Sequence, residues 1–330
     1  MKAGKVSEAV LKRSVIKTVN KQEGVVSKAA VGSDAGLFAP KENTGVMAAS
    51  CTTLSGAEEG LAAVAVKRAC NSLAASGATT DAVTVQLMLP ETAEETVLKD
   101  LMKEVVSACE ESEVVLANGH TQVSAFVTEP VISVTAMGSP SAVMTLEENV
   151  YGSDLVMTKS AGIAGAALLA KYYRENLHER YTYTFIDKAA ARDTEVSILP
   201  EIKVLQELGI RHMHDVAEGG VFGAVWELCE RLNAGVELDL KKIPIYQETV
   251  EICEYFDVNP YQLKGDGALL FLTHDSTAAI KVLKEAGITA AVIGRMNDGN
   301  DRVLINEDET RFLEPNRVDE YEKARTFERK

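Results

Sequence analysis

Apolar residues recur along this chain with two different periods, and the alternation between these periods most constrains the fold. In residues 81–90, DAVTVQLMLP, apolar and polar residues alternate, so that Val83 and Val85 face one way and their polar neighbours face the other. A period of two is typical of a strand with one buried face. The segments on either side, 59–75 and 91–111, place apolar residues three and four apart, which is typical of helices. The chain is therefore predicted to be α/β (α+β).

The same mixture of periods continues on both sides of a break near residues 138–152. There GSPSAVMTLEENVYG contains Gly, Pro and Ser and shows no sustained period. Because 330 residues are many for one hydrophobic core, two domains are expected. We predict an N-terminal domain over residues 1–140 and a C-terminal domain over residues 150–330. Beyond the break, strands are predicted in DLVMTKS, KGDGALLFL, TAAVIGRM and DRVLI.

The charge balance argues against two classes of partner. The chain has 34 Lys and Arg against 49 Asp and Glu, a net charge of −15, and no run rich in basic residues. Nucleic acid and anionic membrane surfaces are therefore not expected as main partners. An anionic ligand would have to bind through backbone dipoles or a metal ion rather than through a basic surface.

The cysteines and the N-terminal residues predict a cytoplasmic protein. Five cysteines, an odd number without CxxC spacing, are expected to be free thiols, four of them small core residues. MKAGKVSEAVLKRSV contains no apolar run long enough for a signal peptide, and no segment of the chain is long enough to cross a bilayer.

One segment, HMHDVAEGGVFGAVWELCERL, places polar and flexible residues directly before an amphipathic helix. Gly219 and Gly220 permit unusual backbone conformations, and the first N–H groups of a helix attract anions. Asp215 and Glu218 would attract a cation, so that a magnesium-bound phosphate suits the segment. An acidic helix cap with a Gly-Gly turn explains the same residues. Taken alone, the segment favours the cap, because caps far outnumber nucleotide sites.

Three further polar clusters fall at predicted element ends. VGSDAGLF contains Asp34 in a glycine turn, ACNSLAASGA places Asn71 within a helix that Gly77 closes, and in LANGHTQ a strand runs into a loop that carries His120. Each has an ordinary alternative, since Asp and Gly are common in turns, an asparagine on a helix can point to solvent, and a lone histidine in a loop is often a surface group.

Taken in order, these clusters resemble the aminoimidazole ribonucleotide synthetase superfamily, which has a two-domain PurM-like fold. The motif sequences are most similar to those of the hydrogenase-maturation branch and of the synthetase-related proteins close to it. The segments that carry the resemblance are GSDAG (32–36), NSLAASGA (71–78), NGHTQ (118–122), HDVAEGG (214–220) and NPYQLKGDGALL (259–270).

The resemblance implies ATP binding by a homodimer whose N-terminal domains pair sheet edge to sheet edge. ATP would lie in a cleft and its phosphates would meet acidic side chains through Mg²⁺. Carried over, the nucleotide contacts fall on Asp34, Asn71, Gly119, His120, Thr121, Gly219 and Gly220, the metal ligands are Asp34 and Asp215, and the catalytic residues are Asp215, Glu218 and His120.

The chain departs from the family pattern where acidic residues are usual. Ser33 and Ser72 replace aspartates, and Cys51 and Thr52 stand near where the family has a third. Gln122 takes the place of a common glutamate. Because Mg²⁺ prefers charged oxygen ligands, a weakened magnesium site is predicted. Three lysines could offset phosphate charge, and each is equally well explained as a surface residue: Lys28, Lys159 and Lys264.

Two functions remain open. In the first, the protein is an ATP-dependent enzyme that activates an oxygen of a small substrate by phosphoryl transfer, through positioning and charge stabilisation. In the second, it is a non-catalytic relative that binds a nucleotide or a protein partner through the retained cleft. The carbamoyl chemistry of the hydrogenase-maturation enzyme, which needs a C-terminal cysteine, is not expected because the last cysteine here is Cys253.

Overall fold

The chain divides into two compact units, each with its own sheet. The computed structural model describes residues 6–21, 26–27, 29–39, 45–140, 149–315 and 318–327. The first unit comprises residues 23–28 and 34–143, and the second comprises residues 1–22, 29–33 and 144–330. Most of the predicted break, residues 141–148, lies outside the described part of the chain.

The helices and strands alternate along the chain. In chain order they are α1 (Glu8–Leu11), α2 (Lys17–Val19), β1 (Gly36–Phe38), β2 (Met47–Ser55), α3 (Leu61–Ala75), β3 (Ala78–Pro90), α4 (Glu95–Glu111), β4 (Val115–Ser124), β5 (Val131–Pro140), β6 (Asp154–Thr158), α5 (Ile163–Tyr172), α6 (Arg174–His178), α7 (Tyr183–Ala190), α8 (Leu199–Glu207), β7 (Met213–Asp215), α9 (Gly220–Leu232), β8 (Gly235–Asp239), α10 (Gln247–Phe256), β9 (Leu269–Thr273), α11 (Ser276–Glu285), β10 (Ala290–Asn297), β11 (Arg302–Asn306), β12 (Glu309–Phe312) and α12 (Glu320–Arg325). A π-helical turn, Lys12–Ile16, joins α1 to α2, and 3-10 turns cover Ala191–Glu195, Leu240–Lys242 and Pro260–Gln262.

The first unit is a five-stranded sheet in the order β1-β2-β5-β3-β4, with α3 packed against one face and α4 against α3. β3 and β4 are parallel, and the other neighbouring pairs are antiparallel. The alternation predicted in β3 is confirmed, since Val83 and Val85 are buried whereas Gln86 is exposed. The carboxylate of Glu104 on α4 accepts hydrogen bonds from the N–H groups of Gly60 and Ala62, and so satisfies the first turn of α3.

The segment NGHTQ, predicted as a loop, is part of strand β4. Residues 118–122 pair in register with residues 84–88 of β3, after a bulge that follows Val83. Gly119 fits this pairing because a Cβ there would lie 2.5 Å from the carbonyl oxygen of Val85. The polar composition suggested a loop, yet backbone pairing with a long central strand continues through it, because an edge strand tolerates solvent on its side chains.

The second unit is a seven-stranded sheet in the order β12-β11-β8-β10-β6-β9-β7. The predicted apolar stripe of α9 is confirmed, because Val221, Val225 and Leu228 are buried in the core of this unit together with side chains of β6, β8 and β9. The helix ends at Asn233, whose φ of 51° is left-handed. The shortest strand, β7, is hydrogen-bonded to β9 and leads into α9.

The N-terminal helical residues belong to the second unit. Trp226 on α9 donates its indole N–H to Glu8 at 2.5 Å, and Glu230 pairs with Lys12 at 2.9 Å. The guanidinium of Arg302 on β11 lies 4.0 Å from the centre of the Trp226 ring and binds Glu230. These N-terminal residues fall in the predicted domain 1–140, whereas in the structure they group with residues 144–330. The roles predicted for the two domains stay predictions.

All five cysteines are free thiols, as predicted. Cys70, Cys109, Cys229 and Cys253 are buried, and Cys51 is exposed. Burial raises the pKa of Cys70, Cys229 and Cys253 to about 12 each, so these thiols are inert core groups rather than nucleophiles. Within the described ranges, no helix combines the length and the apolar character that crossing a bilayer requires.

Candidate functional site

The turn between β7 and α9 depends on its two glycines. Gly219 and Gly220 have φ angles of 89° and 62°, in the left-handed region that other residues avoid. A Cβ at Gly220 would lie 2.6 Å from the carbonyl oxygen of Tyr261 and 2.7 Å from that of Leu263. Only glycine therefore lets the start of α9 pack against residues 261–263.

The acidic residues of this turn differ in their surroundings. Asp215 ends strand β7 and is 6% exposed, whereas Glu218 in the turn is half-buried. His214 is buried, with its Nε2 3.4 Å from a carboxylate oxygen of Glu227 on α9. The N-cap position of α9 is occupied by Gly219, so Asp215 is a strand residue and not the cap that the sequence offered as an alternative.

A carboxylate from far along the chain binds at the start of α9. The N–H of Gly219 donates to Oδ2 of Asp319 at 2.6 Å, and the N–H of Lys264 donates to Oδ1 at 3.2 Å. Oδ1 also accepts from the N–H of Tyr321 at 2.8 Å, which caps α12. The mouth of α9, defined as residues 218–220 with the backbone of Lys264, therefore accepts an anion. Asp319 is not among the residues predicted from the sequence, where its one signal is an acidic residue that opens the short helical segment DEYEKAR.

Burial dominates the electrostatics of Asp319. It raises the pKa of this carboxyl group from 3.8 to about 6, although Lys264 and the N–H groups of Gly219 and Tyr321 act to lower it, and Glu218 adds to the rise. A carboxylate in an apolar environment is destabilised relative to its protonated form, so the bound anion is held against a substantial desolvation cost.

Two of the three lysines considered as phosphate partners, Lys159 and Lys264, are not solvated surface groups. Lys264 is 3% exposed, with Nζ 4.1 Å from the centre of the Tyr321 ring and 3.6 Å from a carboxylate oxygen of Glu322. Lys159 has a left-handed φ of 52° and binds Glu201 at 2.7 Å. Lys28 lies outside the described residues.

The GSDAG turn contacts α9 through Gly32. With a φ of 75°, this residue approaches the helix so closely that a Cβ would lie 2.2 Å from the carbonyl oxygen of Glu227. Ser33 is exposed, and its Oγ accepts a hydrogen bond from the N–H of Ala30 at 3.2 Å. Asp34, which precedes β1 in the first unit, is half-buried.

Asn71 is buried inside α3, contrary to the alternative that it points to solvent. It is 2% exposed, and Lys67 and Arg68 on the same helix are nearly as buried. The Lys67 ammonium pairs with Glu111 on α4 at 2.7 Å. Gly77 follows the end of this helix with a left-handed φ of 82°, as predicted.

The remaining predicted residues lie on β4. The ring of His120 lies 3.2 Å from the amide oxygen of Gln122, and both side chains are exposed. Successive side chains of a strand point to opposite faces, so Gly119 and Thr121 lie on the other face from His120. The N–H of Gly119 donates to its neighbour Asn118 at 2.7 Å.

Few carboxylates stand at the positions where the resemblance implies metal ligands. In the first unit, Asp34 is the one carboxylate among the family's metal positions, and Ser72 and Thr52 offer half-buried hydroxyl groups. Cys51 is exposed, and its sulfur lies 3.5 Å from the hydroxyl of Thr135. Neutral hydroxyl groups do not balance the charge of Mg²⁺, which prefers charged oxygen ligands.

The structure thus orders the predicted residues in two groups. Asp215, Glu218, Gly219 and Gly220 are contiguous at the β7–α9 turn of the second unit. Gly119, His120 and Thr121 follow one another on β4 of the first unit, whereas Asn71 lies on α3.

Two family models match this chain, one for each half. The model for the N-terminal domain of AIR synthase related proteins matches residues 32–139, and that for the C-terminal domain matches residues 151–306. Among curated proteins, a proposed hydrogenase expression/formation protein of Methanocaldococcus jannaschii is 26% identical over 249 residues, which covers 73% of this chain and 72% of that protein.

Solved structures share the two-domain fold at low identity. The crystal structure of a HypE–HypF complex matches with a TM-score of 0.72 and 17% identity, over 92% of this chain and 99% of the other. HypE in complex with ATP matches with a TM-score of 0.67 and 17% identity, over 98% of this chain and 97% of the other. At such identities the likeness establishes the fold alone.

Proposed function

Since the chain belongs to the AIR synthase related protein family, we propose that it binds ATP and uses it to activate a small substrate by phosphoryl transfer. The observation that carries this proposal is the mouth of α9. There, two backbone N–H groups converge on a carboxylate, at 2.6 Å from Gly219 and 3.2 Å from Lys264. Donors arranged in this way also suit the oxygens of a phosphate. The ATP complex solved for a HypE protein of similar fold supports a nucleotide as the ligand.

The proposed contacts are those that the sequence resemblance selects. In the second unit, Gly219 would bind a phosphate oxygen through its N–H group, Gly220 would let the ligand approach the backbone, and Asp215 and Glu218 would orient the reacting groups. In the first unit, His120 would stabilise charge that develops on the phosphoryl group. The further nucleotide contacts proposed there are Asp34, Asn71, Gly119 and Thr121. Catalysis would rest on positioning and charge stabilisation, which is usual for phosphoryl transfer.

We propose that Mg²⁺ binds more weakly here than in relatives with a full acidic set. Asp34 and Asp215 are the carboxylates proposed as ligands, and the hydroxyl groups of Ser33, Ser72 and Thr52 stand where further charge is usual. A metal ion supplies charge neutralisation to a polyphosphate. With fewer carboxylates to hold the ion, buried backbone donors such as the N–H of Gly219 would carry more of that task.

We propose a homodimer formed by the first unit. Among the described residues, β4 pairs with β3 alone, so its other edge is open for a further strand. Val115, Val123 and Phe126 at this edge are 63%, 64% and 97% exposed. Exposed apolar side chains beside an open strand edge favour a protein partner, and a second copy of this chain supplies a matching edge.

A non-catalytic role is the second candidate. The loss of acidic residues at positions 33, 72 and near 52 favours it, since these losses fall on the metal site rather than on the glycine turn. A HypE protein of similar fold has been solved together with HypF, which supports a protein partner in this candidate.

Two measurements on the whole chain separate these candidates. Calorimetric titration with ATP and with ADP, each with and without Mg²⁺, tests nucleotide binding. Formation of ADP from ATP, followed with and without pooled small carboxylates and amides as acceptors, tests transfer. Binding together with turnover supports the enzyme, and binding with no turnover supports the second candidate. If neither nucleotide binds at millimolar concentration, the enzyme is rejected, and so is the form of the second candidate that binds a nucleotide.

A further inference from the structure

The C-terminal residues 318–327, here called the strap, lie against the mouth of α9 through Asp319. Both oxygens of its carboxylate are used, Oδ2 by the N–H of Gly219 and Oδ1 by the N–H groups of Lys264 and Tyr321. Gly219 and Lys264 are 100 and 55 residues away along the chain. The carboxylate therefore occupies the donors that the proposed function assigns to phosphate.

The strap also covers the ammonium group of Lys264, whose backbone N–H belongs to this mouth. Lys264 is 97% buried because Tyr321 lies beneath its Nζ, at 4.1 Å, and Glu322 lies 3.6 Å from it. If the strap moved away, the N–H groups of Gly219 and Lys264 and the Lys264 ammonium would become available together. Two backbone donors and an ammonium form a set that suits a polyphosphate.

Charge makes the strap and a polyphosphate mutually exclusive at this position. The strap brings the carboxylate of Asp319 to the mouth, where Glu218 already contributes a negative charge, and Glu322 lies 3.6 Å from the Lys264 ammonium. An incoming phosphate would meet these carboxylates at short range, where like charges are poorly screened. The two anions therefore compete for the same N–H groups.

The strap is also held by buried side chains and by a few polar bonds. α12 has six residues, and Glu320 accepts a hydrogen bond from the N–H of Asn259 at 3.2 Å. Tyr173 donates to the carbonyl oxygen of Arg325 at 3.1 Å, and the ring of Tyr321 is 1% exposed. Asp319 makes the bonds of this short segment to the mouth, so displacement of its carboxylate is the first step in loosening the segment.

We propose that the strap is an autoinhibitory element, in which Asp319 occupies the place of a nucleotide polyphosphate at the mouth of α9 and is displaced when the polyphosphate binds. This inference rests on the proposed binding of ATP. It adds that the affinity for ATP is reduced by the chain's own carboxylate, and that ATP binding loosens residues 318–327.

The test compares the full-length wild-type chain with Asp319→Asn. Asparagine keeps the size of the side chain but presents an NH₂ group where Gly219 or Lys264 needs an acceptor, so it weakens the anchor and removes the competing charge. We expect Asp319→Asn to bind Mg·ATP roughly tenfold more tightly than wild type, because a charge-assisted hydrogen bond to the mouth is lost. We also expect ATP to speed hydrogen exchange of the amides of residues 320–326 in the wild type.

Asp275→Asn is the matched control. Asp275 caps α11 in the same unit by accepting from the N–H of Ala278 at 3.0 Å, and asparagine caps almost as well. This variant should bind ATP as the wild type does.

Three results would overturn the inference. Equal ATP affinity of wild type and Asp319→Asn would reject the competition and leave the proposed function intact. Absence of ATP binding by either protein would reject both. If Asp319→Asn does not fold, hydrogen exchange of the wild type decides: unchanged or slower exchange of residues 320–326 with saturating ATP rejects the strap.

Discussion

Among single residues, Asp319 gives the clearest expectation for how the stability of the fold depends on pH. Burial raises its pKa from 3.8 to about 6. Because the folded value lies above the unfolded one, the stability it contributes is fully present below about pH 4 and is lost as the pH rises through about 6. Asparagine does not titrate, so the difference in unfolding free energy between wild type and Asp319→Asn isolates this group.

We expect that difference to shift against the wild type by roughly 3 kcal/mol between about pH 4 and about pH 7.5. Urea unfolding of both proteins at several pH values provides the measurement. If this difference stayed constant, or favoured the wild type more at higher pH, the folded protein would not destabilise the ionised form of Asp319.

A second prediction at the residue scale concerns the metal. Replacing three hydroxyl groups by carboxylates, with Ser33→Asp, Thr52→Asp and Ser72→Asp, should strengthen the dependence of ATP binding on Mg²⁺, because charged oxygens are the ligands this ion prefers. We expect the Mg²⁺ concentration at half-maximal ATP binding to fall roughly tenfold or more. Ser107→Asp adds a carboxylate on the exposed side of α4 and should change nothing. An unaltered Mg²⁺ dependence in the triple variant would mean that the metal site lies elsewhere.

At the scale of elements, the packing of α9 depends on glycine at its first residue, Gly220. Gly220→Ala places a Cβ 2.6 Å from the carbonyl oxygen of Tyr261 at a φ of 62°. We expect a loss of about 3 kcal/mol or more in unfolding free energy, since left-handed strain and a backbone clash add together.

The control separates these two causes. Gly209 has a similar φ of 73°, yet a Cβ there meets nothing within 4 Å. Gly209→Ala should therefore cost only about 1 kcal/mol, the strain alone. Equal losses in chemical denaturation of the two variants would show that the start of α9 is not packed tightly against residues 261–263.

Elements with a clear period could be predicted from the sequence, and those held by tertiary contacts could not. β3, α3, α4 and α9 carry regular apolar spacing, and the structure confirms them. The NGHTQ segment was predicted as a loop from its polar composition, but its backbone pairs with β3. The partly buried position of Lys159 was also beyond prediction, because a distant partner, Glu201, satisfies the charge.

In the whole molecule, the same limit applies to the candidate site. The glycine turn at 219–220 was predicted from local sequence, because a glycine pair before an amphipathic helix has few explanations. Asp319 was missed because a single acidic residue about 100 positions away carries no local pattern that connects it to Gly219. The turns that match the family motifs could be identified from the sequence. The contact of the C-terminal strap with one of them is seen only in the folded structure.

A prediction for the whole molecule concerns assembly. Light scattering at micromolar concentration should give twice the mass of one chain, because β4 presents an open edge with exposed Val115 and Val123. The variant Val115→Lys with Val123→Lys should give the mass of one chain with little change in melting temperature. Val106→Lys, on the exposed side of α4, is the control and should remain dimeric. A monomeric wild type would reject the proposed dimer.

The most direct test of ATP binding at the mouth of α9 is the affinity of Mg·ATP for Asp215→Asn and Glu218→Gln beside wild type. Both changes remove a charge and keep the side-chain size. We predict that each weakens binding roughly tenfold while the melting temperature changes little, because neither creates a cavity. Glu237→Gln, on the exposed side of β8, should bind as wild type does. Undiminished affinity in both Asp215→Asn and Glu218→Gln would contradict the account.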